Sequence, residues 1–140
     1  MGKAYDAVQR YIDSMMAKDL DAVLDCFHDD VVYHYHVGTR PFEGKDFLKK
    51  GITMLWPHQE TSRWRIVNYL EDDDKIIFEG IDEYDQPDGV TVRMPYMGIY
   101  QIKDGRIWRA RDYFDMPGYM NMTKGDANPW LLKVADSMAA

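Results

Sequence analysis

Apolar residues recur at helical spacing through the first stretch of the chain. Ala4, Val8, Tyr11, Ile12, Met15 and Met16 share one face of a helix predicted over residues 3–17. Asp19 is placed to cap a second helix over 20–27, which carries Leu20, Val23, Leu24 and Phe27. A strand is predicted over 31–37, then a loop over 38–44 containing Pro41, then a third helix over 45–55 that stops before Pro57. Past Gln59 the period changes to two. Residues 61–70 alternate Trp64, Ile66, Asn68 and Leu70 against Arg63 and Arg65. An acidic turn at 71–74 leads to a strand over 75–85. Gln86-Pro87-Asp88-Gly89 is a turn signal, followed by a strand over 90–103, the Lys103-Asp104-Gly105 turn and a last strand over 106–115. These strands predict an antiparallel meander. Residues 116–140 read as a C-terminal tail, loop after Pro117 with a short helix capped by Asn128 and opened by Pro129. The order helix, helix, strand, helix, four strands predicts one α+β domain over 1–140. In it a curved antiparallel sheet and three helices enclose one pocket, as in a cone.

Two aspartates break the segregation of polar and apolar faces. In the last strand one face reads Trp108, Ala110, Asp112, Phe114 and the other Arg109, Arg111, Tyr113, Asp115. In the strand over 75–85, Asp82 shares a face with Ile76, Phe78, Gly80 and Tyr84, while Lys75, Glu79 and Glu83 lie opposite. A carboxylate turned toward a core is costly unless paired or protonated, and its pKa rises. Two of them facing inward predict a cavity with acid–base chemistry.

Composition narrows the classes of function. The net charge is −7 and no basic cluster exceeds Lys49-Lys50, which excludes nucleic acid as an expected partner. Ten Tyr, four Trp and ten Met offer side chains that fill cores and line small-molecule pockets. Cys26 is the one cysteine, so no intrachain disulfide forms, and it reads as a buried thiol. No apolar run approaches the length of a membrane span, and a cytoplasmic protein is expected. There is no phosphate loop, no supported Ser–His–Asp set and no CxxC, so nothing calls for a cofactor. His34 and His36 alternate with Tyr33 and Tyr35 and are expected to point away from the cone, unless a bend at Gly38 brings His36 to the rim. No metal site is expected there.

Several stretches resemble the NTF2-like superfamily of cone-shaped domains. They are Lys18-Asp19-Leu20-Asp21, Phe27-His28-Asp29-Asp30-Val31-Val32, Phe42-Glu43-Gly44-Lys45-Asp46 and Asp104-Gly105-Arg106-Ile107. Within it, Arg111-Asp112-Tyr113-Phe114-Asp115 is similar to the end of the last strand in the SnoaL-like and limonene-epoxide hydrolase group. That resemblance implies an Asp–Arg–Asp unit in which one carboxylate activates water and the other protonates the epoxide oxygen. Its aspartates fall on Asp112 and Asp82, and its pocket tyrosine on Tyr33. The bridging arginine falls on Gly80 and the pocket asparagine on Tyr35, so this chain departs from the pattern at both. Val8-Gln9-Arg10-Tyr11-Ile12 is similar to the first helix of ketosteroid isomerases, whose oxyanion-binding tyrosine falls on Tyr11. The isomerase base falls on Tyr35, and its second acidic donor near Met97 or Gly98.

The expectation is a cofactor-independent enzyme that opens an epoxide of a small apolar molecule with water. Asp112, Asp82, Tyr33 and Tyr11 are the candidate catalytic residues. Tyr35, Asn68, Met94, Tyr96, Trp108 and Phe114 are the candidate substrate contacts. A SnoaL-like or isomerase-like cyclase, isomerase or dehydratase is the rival enzyme, and a non-catalytic ligand-binding module is the second class. The outer sheet face, with Val67, Ile81, Met97, Ile99 and Tyr113 among charges, suits a homodimer.

Overall fold

The computed structural model describes residues 2–139. Helix α1 (Lys3–Met16) buries Ala4, Ala7, Val8, Tyr11, Ile12 and Met15, the face that its periodicity marks out. Its first amides are met from across the fold. The Glu71 carboxylate accepts from the backbone N–H groups of Gly2 (3.0 Å) and Tyr5 (3.1 Å), a negative charge at a helix N-terminus. Helix α2 (Leu20–Asp25) is capped by Asp19, whose side chain accepts from the Ala22 N–H at 3.1 Å. It ends two residues earlier than periodicity suggests. Phe27 is claimed by strand β1 (Phe27–His34), which pairs in parallel with β7 (Arg106–Tyr113). The short β2 (Phe42–Glu43) follows, then helix α3 (Lys45–Leu55) and a 3₁₀ turn, Trp56–His58.

The remaining strands are β3 (Thr61–Ser62), β4 (Arg65–Glu71), β5 (Lys75–Asp85) and β6 (Thr91–Lys103). The sheet order is β2-β1-β7-β6-β5-β3, with β4 also on β5. Strands β4 to β7 form the expected antiparallel meander. The stretch expected as a single strand over 61–70 is broken at Arg63-Trp64. The sheet curls strongly, and the main core lies between its concave face, α1 and α3. Phe27, Leu48, Ile76, Phe78, Tyr100 and Ile107 are all buried there.

The tail differs from expectation. Residues 116–123 are not loop but helix α4 (Met116–Thr123). Asp115, expected to end the last strand, instead caps it by accepting from the Gly118 N–H at 3.0 Å. Met122 of α4 packs with Tyr84, Val92 and Met94 in a second cluster. Helix α5 (Pro129–Ala139) begins as predicted, with the Asn128 side chain accepting from the Trp130 N–H at 2.9 Å. It packs against β6 and β4. Arg93 ion-pairs with Asp136 of α5 and with Glu83 of β5, so it faces away from the cavity. Ile81, expected to be offered on this outer face, is fully buried. No helix among the described residues is long and apolar enough to cross a membrane.

Candidate active site

The cone encloses a cavity of about 520 Å³. Its walls are mostly apolar: Met15 from α1, Leu48 and Ile52 from α3, and Phe42, Trp64, Met94 and Phe114 from the sheet and its edges. Eight of the expected site residues meet there: Asp112, Asp82, Tyr33, Tyr11, Tyr35, Met94, Tyr96 and Phe114. Tyr35 lies past the end of β1, is 38% exposed and stacks on Phe42.

Two expected contacts lie elsewhere. Asn68 is exposed and donates to the Glu79 carboxylate at 3.0 Å. The β4–β5 register slips between Ile66 and Asn68, so the parity that turns Ile66 inward turns Asn68 out. Trp108 is outside the cavity too. Gln101 pairs with Arg109 and the adjacent Ile102 with Ile107, so Trp108 is the extra, bulged residue of β7. Its ring lies under the Arg109 guanidinium (4.0 Å) and the Lys103 ammonium (5.1 Å). Ile107 takes the buried position in its place.

The two carboxylates live in different surroundings. Asp112 is 5% exposed. Tyr33 donates to its Oδ2 at 2.5 Å, and the Tyr100 hydroxyl lies 3.0 Å from Oδ1 and 3.2 Å from Oδ2. Burial pushes its pKa to about 7, against the downward pull of those two phenols. The Asp82 charge adds to the rise. Asp82 is half-buried and accepts no hydrogen bond among the described residues, and burial alone lifts it to about 7. Burial, then the Asp112 charge, lifts the Tyr33 and Tyr100 phenols well above their ordinary value, so both remain neutral donors.

Tyr100, whose hydroxyl lies against the Asp112 carboxyl, is absent from the residues expected at the site, although a signal for it was available. Val92, Met94 and Tyr96 mark the inward face of β6, and two further steps of two reach Tyr100. Gly98, between them, sits directly opposite Asp112. A β-carbon there would stand 2.7 Å from the Phe78 ring and 3.0 Å from Asp112 Oδ1, so only glycine lets those groups close in. That leaves no room for the isomerase-type acid at this place. Tyr119 and Met116 of α4 also line the cavity, and Tyr119 shares a 2.5 Å hydrogen bond with Tyr84. His36 is outside the lining but packs on Phe114, ring centroids 4.8 Å apart. Cys26 is a free, buried thiol.

A family model for the SnoaL-like domain matches residues 8–110. The chain belongs to the SnoaL-like domain family. The match ends two residues short of Asp112, so the site aspartate of β7 stands on the geometry above. The SnoaL-like chain is similar in structure to an LEH-like epoxide hydrolase of M. tuberculosis, with 23% identity and a TM-score of 0.75 over 94% of this chain and 96% of that one. It is similar to a Bacillus subtilis protein assigned as an isomerase, with 21% identity and a TM-score of 0.75 over 89% and 94%. It is also similar to a Xanthomonas campestris protein assigned as a polyketide cyclase, with 18% identity and a TM-score of 0.71 over 86% and 96%. At these identities the likeness carries the fold, the NTF2-like cone. No curated protein matches the SnoaL-like chain in sequence.

Proposed function

We propose that this SnoaL-like protein is a cofactor-independent hydrolase that opens an epoxide of a small, largely apolar molecule with water. One observation carries the reading. Two inward carboxyls of one apolar cavity, both with pKa near 7, differ in their hydrogen bonding. Asp112, fed by the phenols of Tyr33 and Tyr100, is the site's better anion and therefore its base. Asp82, with no donor, is the better acid. Mutual repulsion favours the state in which one of them holds the proton.

In that state Asp112 takes a proton from water. The water oxygen attacks an epoxide carbon, the C–O bond breaks, and the departing oxygen takes the proton of Asp82. A vicinal diol results, and proton exchange with solvent restores the pair. Tyr33 holds Asp112 in place, and Tyr11, Met94 and Phe114 shape the space for the substrate. General acid–base help from one such group contributes about 10²–10⁴-fold.

The test is diol formation from a panel of cyclohexene oxide, styrene oxide and limonene oxide in H₂¹⁸O. Asp112→Asn should cut turnover by about 10²-fold or more while the fold persists. Panel-wide rates no faster than buffer, or an Asp112→Asn variant as fast as the parent, would end this reading. A cyclase or isomerase is the second reading, favoured by the absence of an arginine at position 80. It shares the two carboxyls and uses Tyr11 as the oxyanion donor. The exposed part of the convex face, with Met97 at 45% and Tyr113 at 46%, supports association into a homodimer.

A further inference from the structure

The resemblance to limonene-epoxide hydrolases puts a bridging arginine two residues before Asp82, where this chain has Gly80. The space is not vacant. Tyr96 pairs with Gly80 across β5 and β6, and its ring lies over the glycine. A β-carbon at position 80 would stand 2.7 Å from Tyr96 Cε1 and 2.9 Å from its hydroxyl oxygen. The sheet register puts Tyr96 midway between the two carboxyls. Asp82 of β5 sits opposite Met94 and Asp112 of β7 opposite Gly98, two residues to either side of Tyr96 on the strand between.

The orientation of its proton follows from its neighbour. Trp64 Nε1 lies 2.5 Å from Tyr96 Oη, and an indole N–H only donates. The phenol oxygen therefore accepts, and its own hydrogen must point elsewhere. No acceptor takes that hydrogen among the described residues, although Tyr96 is only 7% exposed and lines the cavity. A buried donor without a partner is costly, and a ligand oxygen relieves the cost. Trp64 itself lies in the break between β3 and β4.

We infer that Tyr96 is a catalytic residue, a neutral hydrogen-bond donor to the substrate's reacting oxygen, standing where the resembled enzymes use arginine. The substrate class this selects is an apolar molecule whose reacting oxygen is an uncharged acceptor, an epoxide or a carbonyl, rather than a carboxylate. Burial, followed by the Asp112 charge, keeps the phenol protonated, so it donates without giving up its proton. In the proposed ring opening it stabilises the developing alkoxide until the Asp82 proton arrives. This role rests on the hydrolase reading for its step, but not for its hydrogen bond.

Tyr96→Phe keeps the ring over Gly80 and removes only the hydroxyl. On cyclohexene oxide, kcat should fall by about 10²-fold with KM nearly unchanged, the loss typical of one oxyanion donor. The second readout needs no turnover: the infrared carbonyl stretch of bound camphor, a rigid apolar ketone. It should lie lower in the parent than in Tyr96→Phe, because only the parent donates to the carbonyl. A shift lost in Tyr96→Phe supports the inference even where no epoxide is turned over, an outcome that would end the hydrolase reading alone. Equal stretches in the two proteins, an unchanged kcat, or no camphor binding at millimolar concentration would each overturn it.

Discussion

Asp112→Asn should make the protein more stable than the parent at alkaline pH while it cuts the proposed epoxide turnover by about 10²-fold or more. Asp112 carries its proton in the native state up to about pH 7, against an ordinary carboxyl value of 3.8. A native pKa raised above the unfolded one contributes stability that is complete below the unfolded value and lost as pH rises through the native value. The window is therefore about pH 4 to 7, and the full loss is roughly 4 kcal/mol, because each pH unit is worth about 1.4 kcal/mol. Roughly 3 kcal/mol of it falls between pH 5 and 8. Asparagine has no proton to lose, and its amide can still accept from Tyr33 or Tyr100. The parent should thus lose stability over this interval far more steeply than Asp112→Asn. Asp82, raised in the same direction, leaves a residual slope in the variant. Urea titrations at pH 5, 6, 7 and 8, followed by tryptophan fluorescence, measure both curves. Parallel curves would show that Asp112 ionises freely in the native state, and the argument from burial would then fail.

Tyr100→Phe removes one of the two phenols that hold Asp112 down, so the Asp112 pKa should climb further and the acid limb of any pH–rate profile should move to higher pH; carboxyl NMR checks this directly. Gly80→Arg should not restore an Asp–Arg–Asp unit. The new β-carbon meets the Tyr96 ring at 2.7 Å, so the substitution should destabilise by about 1–3 kcal/mol and lower epoxide turnover, read by thermal melts and diol assay. Arg93→Ala should free α5, seen as faster hydrogen exchange over 129–139. The stability cost should be about 1 kcal/mol or less, because Asp136 is largely exposed. Light scattering at micromolar concentration should report a dimer, and a monomer would remove the proposed role of the convex face.

Parity carried much of the site and failed at identifiable places. Strands β5 and β6 run without register breaks against each other for eleven residue pairs. Along them period two holds, and Asp82, Met94 and Tyr96 were read correctly as inward. Strands β4 and β7 each contain a slip. A slip reverses the face of every residue beyond it, and Asn68 and Trp108 sit at the two slips. Nothing in the alternation of Ile66 and Asn68, or of Trp108 and Ala110, announces the extra residue. Helix α4 is a different kind of miss. Asp115 followed by Pro117 carries the ordinary chemistry of a helix start, a side-chain acceptor and a proline in the first turn. The strand pattern before it was strong enough to absorb Asp115 as a strand residue.

The absent arginine is better understood from its neighbours than from position 80 alone. A glycine in a resembled motif reads as a lost catalytic group when the strand is considered by itself. Paired across the sheet, Gly80 and Tyr96 are one unit, since the aromatic ring needs the space that a side chain at 80 would fill. Trp64 completes that unit by occupying the phenol's acceptor side, which leaves the hydroxyl hydrogen for the cavity. A cation between two carboxyls would hold both ionised. A phenol in the same place leaves them to burial and to each other, and both rise to about 7. On the proposed reading, the site near pH 7 would hold one shared proton in place of the two anions and a cation that the resemblance implies. On that reading, the identity of residue 96 is tied to the protonation of residues 82 and 112. Replacing Tyr96 by a smaller side chain together with Gly80→Arg should therefore lower both carboxyl pKa values at once, whereas Tyr96→Phe should leave them high. Carboxyl NMR on the two variants separates these outcomes, and equal titration in both would break the link.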